Sequence, residues 1–284
     1  MSRRMLPLLT GLAAVVLAGT ACAPEETSTA EAPASCAKED LNLKTPGKLT
    51  VATDKPAFEP WFAEDDPSNG KGFESAVAYA VAEELGFARE EVAWTVQPFD
   101  AAYAPGPKRF DFDINQISAT PERAKAVTFS DGYYQVRQAV VTMEGSKYAG
   151  ATTMAALKDA AIAVQVGTTS LQAVREQIEP GEQPKVFNTQ IDAVNALKNE
   201  QVDLLVVDLP TAFYVTAAQI DGSAIVGQLP PRDGDTEHFG LLLERGNTLV
   251  NCLNEAVGAL KASGELRELE DKWLTAEADA PLLK

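Results

Sequence analysis

The chain has 284 residues, with 41 Asp or Glu against 24 Lys or Arg, a formal net charge of −17 and one histidine. A surface this acidic excludes nucleic acid and anionic lipid faces as partners. One histidine excludes metal sites built on His clusters and leaves His238 to serve alone in any nucleophilic triad, and the lack of a Walker loop, a GxGxxG after a strand or a CxxC pair leaves no cofactor expected.

Residues 1–21 read as an export signal. Arg3 and Arg4 precede an apolar run from Leu6 to Leu17, too short to span a bilayer, and Gly19, Thr20 and Ala21 follow. Cys22 comes next, the arrangement of a bacterial lipoprotein signal, in which the thiol is acylated (palmitate included) after cleavage; ordinary cleavage after Ala23 is the alternative. Removing 1–21 takes two Arg and no acid, giving 22 − 41 = −19. Residues 22–43 are expected as a flexible tether, rich in Ala, Pro, Glu, Ser and Thr as far as Ser35. No later stretch approaches the roughly 20 apolar residues of a membrane helix, so the lipid is the expected membrane contact and the location extracytoplasmic. With Cys22 acylated, Cys36 and Cys252 remain in an oxidising compartment and are expected to pair; two free buried thiols are the alternative.

From about Lys44 the pattern alternates. Leu49–Thr53 and Val92–Val96 are predicted strands, with a helix over Glu74–Leu85 that stops at Gly86. Phe110–Ile117 reads as a strand running into a polar loop. Ala160–Val166 and Leu204–Val207 are compact apolar runs suited to buried strands, followed by helices over Ser170–Gln177 and Pro210–Ala217. Gln190–Asn199 is a further helix, Leu249 to Leu260 another, and Leu266–Trp273 the last. This alternation predicts an α/β fold with mainly parallel sheets, and about 240 ordered residues suit two lobes.

Six segments in order carry a resemblance. They are Leu49–Asp54 with Phe58-Glu59-Pro60-Trp61, Gly72-Phe73-Glu74 with its helix, and Ser118-Ala119-Thr120-Pro121-Glu122-Arg123 with Phe129-Ser130 and Tyr133-Tyr134. Val164–Thr169, Asp203–Asp208 and Gly264–Trp273 follow. Together they resemble the family 3 extracellular solute-binding proteins, the polar-amino-acid receptors of ABC importers. The resemblance implies a type II periplasmic-binding-protein fold with a two-strand hinge. Lobe one would comprise 44–137 plus 231–274, lobe two 138–230, and 275–284 a tail.

It also implies a site for a zwitterion, whose two charged ends must exchange water for protein partners. Arg123 would clamp the α-carboxylate with its planar fork, and Ser118 would donate to the same group. Thr168 and Thr169 would present a helix start to it, while Asp208 would take the α-ammonium. Asp54 would lie on the polar rim, Phe58 and Phe99 would wall the side chain, and Trp61 reads as loop packing. Alternatives stay open: Arg123 could pair with a nearby acid, Asp208 or either threonine could merely cap a helix, and Asn115 and Gln116 could reach ligand or only backbone. His238 reads as structural. The expected partners are a small amino-acid ligand and ABC permease subunits, with the chain a monomer and not an enzyme. A sensory module for a membrane partner and a cyclohexadienyl dehydratase-like enzyme are the rival readings.

Overall fold

The computed structural model describes residues 35–231, 237–274 and 280–284. The signal, Cys22 and most of the tether lie outside the described residues. Two five-stranded sheets organise the chain. The first has the order β2 (Val92–Val96), β1 (Leu49–Thr53), β3 (Phe112–Asp113), β10 (His238–Glu244), β4 (Val127–Gln135), parallel among β2, β1 and β3 and antiparallel at β10. The second runs β7 (Lys185–Phe187), β6 (Ile162–Gln165), β8 (Leu204–Asp208), β5 (Gln138–Met143), β9 (Ser223–Gln228), with β5 antiparallel to both neighbours.

Burial explains why the short apolar runs are strands. In the second sheet Val140, Val164, Leu204 and Val206 face one core cluster, while Ala139, Val141, Ala163, Leu205 and Val207 face another. Both faces are covered, so the run is continuously apolar rather than alternating. In the first lobe, Leu49 and Val51 pack with Trp61, Phe73 and Phe239, all with no exposed surface.

Helix α1 (Phe73–Glu84) buries Phe73, Val77, Ala78 and Val81 in that cluster. It ends because Gly86 takes φ +79, which lets the Gly86 N–H reach the Glu83 carbonyl and the Phe87 N–H the Ala82 carbonyl, both at 2.9 Å. That paired closure satisfies the last carbonyls of the helix. The predicted helices after β6 and β8 each divide in two. α3 (Thr169–Ala173) passes into a π-turn over Val174–Ile178, and α5 (Leu209–Tyr214) into one over Val215–Gln219. Between them lies α4 (Gln190–Lys198), and α2 (Phe99–Ala102) is a short turn of helix in lobe one.

Helices α6 (Val250–Ser263) and α7 (Glu265–Trp273) close lobe one. A disulfide joins Cys36 to Cys252 on α6, with a Cα–Cα distance of 5.3 Å. Leu41 and Leu43, placed by the sequence in the tether, pack against the same core, so the ordered chain begins before Lys44. The far end also differs from a free tail. The Leu283 side chain enters the lobe-two core, Leu283 N–H bonds to Gln228, and Lys284 exchanges backbone bonds with Thr152 and Met154. The polypeptide therefore reaches lobe two again after α7.

Candidate ligand cleft between the lobes

Strand ends from both sheets meet at the cleft. Asp54 follows β1 and Asp208 ends β8, the carboxyl ends at which open α/β sheets receive ligands. One interlobe cavity is lined by Asp54, Phe58, Phe99, Asn115, Gln116, Arg123, Gln165, Thr168, Thr169, Ser170, Gln190 and Asp208. Its volume is about 40 Å³, room for a few waters, so an amino acid enters only when the lobes separate.

Arg123 opens a 3-10 turn (Arg123–Lys125). Its Nη1 donates to Ser118 O at 2.8 Å and its Nη2 crosses to Gly167 O on lobe two at 2.9 Å. The guanidinium carbon lies 4.5 Å from the centre of the Tyr103 ring and 5.5 Å from that of Phe99, a stacked setting that suits Arg and not Lys. Its partners are carbonyls and rings rather than a neighbouring acid. Phe99 thus lies against the guanidinium as well as lining the cavity.

Asp208 occupies the N-cap position of α5 yet makes no capping bond. Its Oδ1 accepts instead from Gln138 Nε2 at 2.8 Å. Burial pushes its carboxyl up to about 8, and Glu237 adds to the rise. Thr168 does cap α3: its Oγ1 accepts from Leu171 N at 3.1 Å and donates to Gln165 O at 2.9 Å. Thr169 Oγ1 faces Ser118 Oγ at 3.5 Å across the cleft. Asp54 accepts from the backbone N–H groups of Lys55 and Phe99 at 2.7 and 3.2 Å, and its half-burial raises its carboxyl.

Gln116 sits at φ +48, rare for a residue with a side chain. Glu74 holds it there, taking the Gln116 backbone N–H at 2.7 Å and its side-chain amide on the second oxygen, with the Tyr133 hydroxyl as a further donor. Desolvation outweighs those donors and raises Glu74 to about 7.

Ser118 is buried just behind the cavity wall, and its hydroxyl donates to Glu237 at 2.6 Å rather than into the cleft. Trp61, wholly buried against Phe73, Tyr134 and Phe239, donates to Thr211 Oγ1 on lobe two at 3.1 Å. His238 lies on β10, paired with Gln135. Among the described residues no cluster of His, Cys, Asp and Glu could hold a metal, and no helix is long and apolar enough to cross a membrane. Sequence reading overlooked Gln138, Gln165, Ser170, Gln190 and Glu237. The only signal for them is a polar residue at a strand end or in the first turn of a helix, which many surface positions share.

Comparison with known proteins agrees with this architecture. The profile of the bacterial extracellular solute-binding proteins, family 3, matches residues 49–276. The arginine-binding extracellular protein ArtP of Bacillus subtilis (strain 168) is 25% identical over 249 residues, covering 86% of this chain and 92% of that protein. Among solved structures, an ancestral arginine-binding protein bound to glutamine is similar with a TM-score of 0.67 and 31% identity, over 81% of this chain and 98% of its own. The ancestral amino acid-binding protein AncCDT-1, described as a precursor of cyclohexadienyl dehydratase, has a TM-score of 0.66 and 28% identity, over 80% and 95%.

Proposed function

The chain belongs to the bacterial extracellular solute-binding proteins of family 3, and from that premise we propose that it is the receptor of an ABC importer, closing its two lobes on a polar amino acid. One observation carries this reading: Arg123 from lobe one and Asp208 from lobe two line the same cavity. A zwitterion that contacts both stabilises the closed form over the open one, which is how ligand drives the hinge. Asp54 on the lobe-one rim favours a cationic side chain, in keeping with the arginine-binding relatives.

The closed receptor then docks on permease subunits, and the ligand is bound and released chemically unchanged. Acylation of Cys22 would hold it at the outer face of the cell membrane. Ligand-stripped protein lacking residues 1–34 tests the reading in a thermal-shift screen of the twenty amino acids, polyamines and dicarboxylates. A ligand at a thousandfold excess over Kd adds about 4 kcal/mol of stability, worth roughly 8 °C or more. Silence from folded protein across all amino acids would reject an amino-acid receptor.

A further inference from the structure

Glu237 is the residue before β10, where the chain returns to lobe one, and its carbonyl accepts from Val136 N at 3.0 Å, on the segment between β4 and β5 by which the chain first leaves that lobe. Its carboxylate takes the Ser118 hydroxyl at 2.6 Å. A carboxylate only accepts, so the one hydroxyl proton of Ser118 is committed to Glu237 and its lone pairs are left to accept. From Ser118 Oγ the contacts continue to Thr169 Oγ1 at 3.5 Å, from there to Gln138 Nε2 at 3.4 Å, and on to Asp208 Oδ1 at 2.8 Å. Two acids on different lobes thus end one polar chain. Among the described residues Arg123 is the cation that faces both, with its own donors on Ser118 O and Gly167 O, and Glu74 and Tyr133 face Asp208 from lobe one. His238 follows Glu237 in the chain.

We propose that Glu237 is a positioning and specificity residue for the amine end of the ligand: it fixes the Ser118 hydroxyl as an acceptor and sets a second negative charge beside Asp208, so that the cleft selects an α-ammonium. The proposal deepens the receptor reading and rests on it. Burial first, and Glu237 next, keep the Asp208 carboxyl protonated near pH 7. An incoming ammonium brings the countercharge that the ionised form needs, and the displaced proton passes to solvent. Ser118 then belongs with the ammonium contacts rather than with the carboxylate.

Calorimetric titration at pH 7, in two buffers of different ionisation enthalpy, tests this in the wild type and in Glu237→Gln. The probes are L-arginine, or L-glutamine where arginine gives no heat, and the corresponding α-hydroxy acid. The variant should bind the amino acid about tenfold more weakly and the hydroxy acid within about twofold of wild type. It should also release fewer protons on binding, because losing the neighbouring charge lets Asp208 ionise beforehand. Ser118→Ala should show the same selective loss, and the double variant no more than either alone. Equal losses for both probes, additive losses, or a proton count unchanged by Glu237→Gln each overturn the proposal; the count needs only the amino acid. Wild type that binds the amino acid and releases no proton overturns this inference alone, whereas no heat from either amino acid rejects the receptor reading and this one with it.

Discussion

Arg123 Nη2 lies 2.9 Å from the carbonyl oxygen of Gly167, so the lobe-one cation assigned to the ligand carboxylate also fastens the lobes together. Replacing it removes a ligand contact and a closure contact at once. Arg123→Ala is expected to weaken amino-acid binding by more than about thirtyfold, and Arg123→Lys nearly as much, because a compact ammonium can neither grip a carboxylate with two parallel N–H donors nor stack as a plane over Tyr103. Affinity within about threefold of wild type for the lysine variant, read by calorimetry, would remove the carboxylate assignment.

Gly167 offers a way to disturb closure without touching a ligand contact. It sits at φ +72, and an added Cβ would lie 2.3 Å from the Tyr103 hydroxyl but 3.6 Å from the ring carbon bearing it. Gly167→Ala should keep the lobes from meeting and lower affinity about tenfold, while left-handed strain costs about 1 kcal/mol of stability. Adding Tyr103→Phe removes the obstructing oxygen and should recover most of the affinity and none of the strain. Small-angle scattering with saturating amino acid should show the single variant more open than the double.

Three buried carboxyls set the pH response of the unliganded protein. Glu74 is raised to about 7 and Asp208 to about 8, while Asp113 is pushed well above its usual range by burial, with Glu74 and Asp54 adding to it. Between their unfolded values near pH 4 and these folded values the folded chain holds the extra protons, so stability falls as pH rises. The melting temperature should therefore decline from pH 5 to pH 8. Glu74→Gln should flatten part of that slope, since its oxygen still accepts from Tyr133 and the Gln116 backbone while the Gln116 amide can turn to meet it. A melting temperature that climbs over this range would contradict the protonation assigned to these acids.

The disulfide gives the fourth expectation. Cys36 and Cys252 are 216 positions apart, and closing so long a loop stabilises by roughly 5 kcal/mol in the chain-entropy model. Cys36→Ser should lower the melting temperature by about 10 °C and expose the segment around Leu41 to protease. An unchanged melting curve with and without reductant would show that the bridge adds nothing.

Much of the parallel core was legible because its physics is local. Leu49–Thr53, Val92–Val96 and Leu204–Val207 are short apolar runs between turn signals, and α1 announces its end with Gly86. The antiparallel strands were not legible. β4 carries Ser130, Asp131 and Gly132 in mid-strand and pairs with β10 through two register shifts, so its alternation is broken and its partner lies over a hundred residues away. β5 is apolar enough, but only its neighbours β8 and β9 reveal its direction. Eight of the nine expected ligand residues line the cavity, Ser118 standing behind it; all of the eight but Phe99 and Gln116 lie inside the local motifs. Gln138 and Glu237 acquire their roles only when two lobes distant in sequence come together.

The described chain starts on one lobe and stops on the other. Cys36 is bolted to α6 of lobe one, whereas Lys284 is held to Thr152 and Met154 on lobe two. Fluorophores attached at positions 35 and 284 would therefore straddle the cleft, making the separation between the two ends a built-in ruler of opening that leaves every cavity residue intact. A support gripping both ends would conversely freeze the receptor at one aperture, so immobilised binding assays should hold it by one end only.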